Sequence, residues 1–261
     1  MSLTGKTKAG TYKDILQMNN SNGGVDASLR NVVDGEGTAS SILISDDNLK
    51  VIPQNNDTTS TFRVTDKNNN NLLVVDSSND LVKAGIGQHI VNTQIKKFAI
   101  SKAELASDTA DQWQAIPSTY GDLSFDVELG SGTTPNTSHT IGTSASGSVQ
   151  HQWWLPLNIT IASAHVWFGA TAATGDDLEF VIMQYDINTL NGAQGGDWSN
   201  GVVVCSSPSV IVGAGYEQAY YQSLTIDTAD VDAGKILVAF FRQDGTSSDH
   251  TVEIQLVYNL R

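Results

Sequence analysis

TDKNNNNLLVVDSSND, residues 65–80, sets four consecutive asparagines against a short apolar run and a second polar turn. The residues just before it, FRVTD (62–66), share a pattern with LLVVD (72–76): apolar-x-Val-x-Asp. Successive strand side chains face opposite sides, so period-two alternation bounded by Asn, Asp and Ser turns predicts short strands joined by tight connections. LVKAGIG (81–87) continues the series; ASLRNVV (27–33), the turn DGEG (34–37) and SSILISDDNLKVI (40–52) precede it. A strand of about five residues offers roughly two or three inward side chains. At about 25 cal/mol per Å² of apolar surface, that burial does not offset the ordering of so long a segment. The missing burial is expected from other copies of the chain. Three copies wound about one axis would place Phe62, Val64, Leu72, Val74, Val82 and Ile86 in a shared narrow interior. An ordinary small β-domain and a partly disordered linker are the competing readings.

Composition divides the 261 residues into two unlike parts. Residues 1–94 hold two aromatic side chains, Tyr12 and Phe62, and thirteen asparagines, and are nearly balanced in charge. The remainder holds every other aromatic residue, all five tryptophans included, with six basic and eighteen acidic residues. Segments with such different interiors are not expected to share a core. The sequence therefore predicts an N-terminal attachment or shaft segment over 1–94 and a C-terminal domain over 95–261.

The second part carries longer alternating runs. KKFAI (96–100) is expected to open it, and the capping-box spacing of Ser101 and Glu104 predicts a short helix after that strand. Strands are then predicted over DLSFDVEL (122–129), VQHQWWLPL (149–157), ITIASAHVWFGA (159–170), DLEFVIMQYDI (177–187), GVVVCSS (201–207), EQAYYQSLTID (217–227), GKILVAFFRQD (234–244) and HTVEIQLVYNL (250–260). Many strands separated by Gly, Asn, Asp and Ser turns indicate an antiparallel β-sandwich, with a jelly-roll head expected. The fold class is thus all-β throughout.

The totals exclude several function classes. Hydrophobic content is 39% and the formal charge is −14, a surface that repels phosphates, so neither nucleic acid nor an anionic membrane is an expected partner. No apolar run is long enough to span a bilayer, and residues 1–20 hold no continuous apolar region of the signal-peptide kind. Assembly in a cytoplasm is expected. One cysteine, Cys205 in VVVC, permits no intrachain disulfide and reads as a small packed hydrophobe. Gly5-Lys6-Thr7 lacks the upstream glycine of a phosphate loop. Asp227, Asp230 and Asp232 lack calcium-loop spacing, as do Asp176, Asp177 and Glu179, and read as strand-end caps. His89, His139, His151, His165 and His250 show no zinc spacing, although three copies of His89 could meet on an axis. No strand–G-x-S-x-G–helix elbow is present, and neither catalysis nor a cofactor is expected.

Aromatic doublets are the strongest candidates for contact. In Trp153-Trp154, Trp167-Phe168 and Tyr220-Tyr221, alternation turns one ring inward and its neighbour outward. Outward rings are expected to serve a subunit contact, with stacking on sugars and mere surface placement as the alternatives. Trp198, Trp154, Trp167, Tyr220 and Tyr221 are the candidates, and Trp198 in NGAQGGDWSNG is expected to be the most exposed.

FRVTD…NLLVVD…NDLVKAGIGQ resembles an element common in bacteriophage tail fibres and other virion fibre proteins. GTYKDILQMNNSNGGVDASLRNVVDGEGTASSILISDD (10–47) resembles segments near the start of marine-phage fibre-type proteins, and AHVWFGATAATGDDLEFVIMQYDINT resembles parts of their heads. The departure is VKAGIGQ, which is longer than the family's usual V-G-I-G-T. The resemblance implies a trimeric virion structural protein: a shaft bound to other virion proteins and a head displayed toward a host surface glycan or protein. Capsid decoration, as a head fibre without receptor binding, and a carbohydrate-binding module are the alternatives.

Overall fold

The computed structural model describes residues 15–20, 23–85, 87, 89–104, 111–118, 127–141, 145–170, 177–189, 195–211, 218–243 and 249–261. The chain forms two compact units, Met1–Asn92 and Thr93–Arg261. The described residues are built almost wholly from antiparallel sheets.

The first unit holds two four-stranded meanders. One comprises β1 (Gln17–Met18), β2 (Arg30–Val33), β3 (Ala39–Ile44) and β4 (Leu49–Val51). The other comprises β5 (Phe62–Thr65), β6 (Asn71–Asp76), β7 (Leu81–Ala84) and β8 (His89–Ile90). Aspartates close the strands and fold the turns after them. Asp34 Oδ1 accepts the Glu36 and Thr38 amides at 2.9 and 2.8 Å. Asp66 Oδ1 accepts the Asn68 and Asn70 amides at 2.8 and 2.9 Å, with Asn69 in the left-handed region at φ 65°. Asp76 Oδ1 accepts the Asn79 amide at 3.1 Å, and Asp80 follows at φ 56°. Asn and Asp tolerate that conformation better than other side-chain-bearing residues. The asparagine run is therefore turn material: it supplies the residue that reverses the chain.

The second unit begins with β9 (Thr93–Glu104) and β10 (Gln114–Ile116), then α1 (Ala145–His151) and β11 (Trp153–Trp154). β12 (Ile159–Ala170), β13 (Asp177–Ile187), β14 (Trp198–Ser206), β15 (Val210–Ile211) and β16 (Gln218–Ser223) follow. β17 (Thr225–Ile226), β18 (Asp230–Val231), β19 (Lys235–Gln243) and β20 (Asp249–Leu260) complete it. One sheet runs β16-β12-β20-β9, with β18 on β12. The other runs β10-β19-β13-β14-β17, with β11 on β19 and β15 on β13.

A single buried cluster lies between these sheets. Phe98, Val166, Phe168, Val252, Ile254 and Leu256 meet Phe180, Ile182, Leu237, Ala239 and Phe241. The seven-stranded sheet is buried on its other face too, where Val181, Met183, Tyr185, Val238 and Phe240 pack with Trp113, Leu129, Ile141 and Trp198. Burial on both faces explains the unbroken apolar run ILVAFF in β19, which alternation alone would not require.

Two sequence expectations are corrected, and a third falls mainly outside the described residues. Ser101–Glu104 do not start a helix but extend β9, where Ala103 pairs with His250 and Glu104 with Asp249. A capping box is worth about 1 kcal/mol, less than a continued ladder beside β20. VQHQWWLPL is not one strand: α1 ends at His151, and only Trp153 and Trp154 pair with β19. Of DLSFDVEL, residues 122–126 lie outside the described residues, while Glu128 makes an isolated bridge to Gln114.

Candidate functional site

The aromatic doublets divide across the sheets. Phe168 is in the core, stacked on Tyr220 at 5.1 Å, while Trp167 is 56% exposed and Tyr221 58% exposed. Trp153 packs against Phe98 and Tyr258, and Trp154 points to solvent. Trp198, expected to be the most exposed, is 1% exposed. Its ring fills the second core beside Tyr185 at 5.4 Å. The Gly- and Asn-rich neighbourhood of Trp198 suggests a loop, yet the residue opens β14 and pairs with Ile187.

Trp167 and Tyr221 belong to the outer face of the five-stranded sheet. Register sets Trp167 opposite Tyr221 on one side and Glu253 on the other, and His165 opposite Ser223 and Gln255. Lys97 lies opposite Gln255 on the next strand. A hollow of about 420 Å³ is lined by His165, Trp167, Tyr221, Glu253 and Gln255. Its members are fixed to one another. The Tyr221 hydroxyl is 2.7 Å from His165 Nδ1, and the two rings stack at 5.4 Å. The Trp167 and Tyr221 rings lie 6.1 Å apart at 58°. Glu253 Oε1 accepts Gln255 Nε2 at 2.6 Å and Lys97 Nζ at 2.9 Å. The Gln255 amide and then Lys97 hold the Glu253 carboxyl below the usual carboxylate range, so it is ionised at neutral pH. The site thus combines two exposed ring faces, one carboxylate, one amide and one imidazole in one hollow.

Sequence reading found Trp167 and Tyr221 but not the partners that make the hollow. His165 shares strand parity with Trp167, and Glu253 with Gln255, which is a legible signal. Which strands stand side by side is not legible, because the neighbours are distant in the chain.

The first unit offers a second surface. Phe62 pairs with Val75, Val64 with Leu73, Val75 with Val82 and Leu73 with Ala84. Directly paired residues share a face. Phe62, Val64, Leu73, Val75, Val82 and Ala84 therefore form an apolar face across β5, β6 and β7, edged on β8 by His89 opposite Ala84. Phe62, Val64 and Val82 on it are 40%, 40% and 42% exposed. The expected grouping is corrected here. Leu72 and Val74 lie on the opposite face, where Val74 pairs with Arg63 and Lys83 and is already buried within the chain. Ile86 lies outside the described residues.

The other singled-out residues have ordinary partners. Asp227 accepts Ser206 Oγ at 2.7 Å, Asp230 accepts Thr160 Oγ1 at 2.7 Å, and Arg261 pairs with Asp230 and Asp232 at 3.3 Å. Among the described residues no group of three or more His, Cys, Asp or Glu could hold a metal ion. His139 Nε2 is 3.4 Å from Ser148 Oγ, and Ser148 is buried on α1. Residues 5–7 lie outside the described residues.

No family model matches the chain, and no curated protein matches it. Among solved structures, a CocE/NonD family hydrolase from Staphylococcus aureus aligns at 7% identity and a TM-score of 0.34, covering 69% of this chain and 39% of its own. The N-terminal endo-1,4-beta-D-xylanase 10B of Clostridium thermocellum, solved with xylohexaose, aligns at 11% identity and a TM-score of 0.22, covering 61% of this chain and 28% of its own. Likenesses this weak carry no weight for fold or function.

Proposed function

We propose that the chain is a non-enzymatic bacteriophage virion structural protein, a homotrimeric fibre. Its first unit docks to other virion proteins and intertwines with its sisters, and its second unit is a head displayed toward the host surface. The observation that carries this reading is the apolar face of β5, β6 and β7. Six apolar side chains share it, and three of them keep about two fifths of their surface exposed in a single chain. Burying what remains exposed is worth on the order of 1 kcal/mol per side chain. A three-fold assembly satisfies every copy at once and leaves the Asn-rich turns in water. The likeness of FRVTD and NLLVVD to fibre elements supports the same assembly.

Strand order supports a jelly roll for the head. The eight principal strands, taken in sequence, are β9, β10, β12, β13, β14, β16, β19 and β20. First, eighth, third and sixth form one sheet; second, seventh, fourth and fifth form the other. That interleaving is the one produced by wrapping a long antiparallel hairpin into two Greek keys.

Light scattering on the purified chain tests the assembly: a mass of three chains is expected, and a stable monomer at micromolar concentration rules it out. Immunogold labelling of intact particles tests the location. Label on the tail supports adsorption, whereas label spread over the capsid without binding to host cells replaces it with decoration.

A further inference from the structure

We propose that the outer face of the five-stranded sheet binds a neutral saccharide, one sugar ring stacking on Trp167 beside Tyr221 while Glu253, Gln255 and His165 take its hydroxyls. The inference deepens the adsorption role and rests on that reading for where the glycan sits. Binding itself needs no trimer.

Four observations lead to this ligand class. First, the hollow of about 420 Å³ is of small-ligand size and lies on rigid strands. Second, its two exposed rings pack against each other, with centroids 6.1 Å apart at 58°, so Trp167 presents an indole face braced by Tyr221. Such a braced, exposed face is a platform for the apolar C–H face of one sugar ring. Third, three of the five lining side chains are hydrogen-bonding groups other than phenol or indole: His165, Glu253 and Gln255. A subunit contact would strand the atoms these groups leave unused, such as Glu253 Oε2, because desolvated polar groups cost free energy when unpaired. A polyhydroxylated ligand offers donors and acceptors in the needed number. Fourth, the rings and polar groups are already placed. Tyr221 is held by His165 at 2.7 Å, and Glu253 is held by Gln255 at 2.6 Å and Lys97 at 2.9 Å. Pre-set side chains lose little freedom on binding.

Charge selects within the sugars. Glu253 is ionised and its Oε1 is occupied by Lys97 and Gln255, which leaves Oε2 to accept a hydroxyl. An acidic sugar would bring a second anion against that carboxylate, on a chain whose net charge is −14. Neutral sugars carry no such penalty.

The test uses the full chain and immobilised gluco-, galacto- and manno-configured neutral oligosaccharides, with their uronic-acid counterparts alongside. Binding to at least one neutral series and weak or absent binding to the acidic ones is expected. Trp167→Ala should lower affinity for the best neutral probe by at least about tenfold, as loss of a central aromatic anchor does, with Trp167→Phe intermediate. Glu253→Gln should weaken it while leaving the melting temperature within a degree or two of the parent. Three results overturn the proposal: no neutral binding by folded chain, a preference for acidic glycans, or binding indifferent to Trp167→Ala. A change of assembly mass in Trp167→Ala also overturns it, since the face would then be a subunit contact. The fibre reading fails separately: a monomer that binds neutral glycans through Trp167 loses the fibre and keeps this site, and a trimer that binds none does the reverse.

Discussion

His139 and Trp198 exchange both backbone hydrogen bonds, each amide donating to the other's carbonyl at 3.0 and 2.8 Å, and their rings lie 4.8 Å apart. The bridge ties the 127–141 segment to the start of β14 and draws the indole beneath it. Tyr185 and Phe240 line the same pocket, and the Tyr185 hydroxyl donates to the Asn136 carbonyl at 3.0 Å. Trp198 is therefore a keystone of the second core.

Trp198→Ala should destabilise the second unit by about 3–5 kcal/mol, the usual loss for emptying a large buried aromatic site. Chemical denaturation followed by fluorescence measures it. A loss below about 1 kcal/mol would mean the indole is not buried in solution.

Acid sensitivity should follow from His139. Burial pushes its imidazole below the ordinary histidine value of 6.5, and Asp197 only partly opposes that. The folded state thus holds the neutral ring more tightly than the unfolded chain does. Stability is complete above 6.5 and falls as pH drops below it, because the unfolded state takes up the proton first. His139→Gln should flatten that part of the stability–pH curve, measured by melting temperature in a buffer series. An unchanged slope would move the acid sensitivity elsewhere.

Cys205 should resist modification in the native protein. Burial, and secondarily Asp227, push its thiol up to about 12, so almost no thiolate exists near neutrality. Ellman's reagent at pH 8 should report no free thiol until denaturant is added, and then one per chain. Prompt native labelling would contradict the packing of β14 against the core.

The two faces of β6 should respond differently to charge. Val75→Asp puts a carboxylate in the apolar face and should reduce the proposed trimer to single chains. Leu72→Asp, on the opposite face, should leave its mass unchanged. Light scattering on both variants decides the matter, and dissociation by Leu72→Asp alone would reverse the assignment of faces.

These two residues show where the sequence was legible and where it was not. FRVTD alternates, so Phe62 and Val64 can be set on one side without a structure. LLVV does not alternate, and nothing in four successive apolar residues fixes its phase. The phase comes from pairing: an irregularity between Val64 and Thr65 shifts the register, which puts Leu73 and Val75, not Leu72 and Val74, beside Phe62 and Val64. The long strands of the second unit were readable because their periods run for ten residues or so, as in Val252, Ile254 and Leu256, all fully buried. Trp198 was misjudged because its flanking Gly, Asn and Ser residues describe the local chain, whereas burial depends on what distant segments lay over it. The hollow at Trp167 joins three strands far apart in sequence, so its full membership had no local signature.

β20 follows both of its partners in the chain, yet it sits in the interior of its sheet, between β9 and β12. Until β20 is made, β9 has no partner in this sheet and β12 lacks one of its two long neighbours. Before Val252, Ile254 and Leu256 arrive, Phe98 and Val166 lack the neighbour that β20 supplies, and two unpaired edges invite the wrong strand. β9 therefore joins its sheet only once β20 has been made, and nascent chains stalled before Asp249 should be the species that chaperones hold.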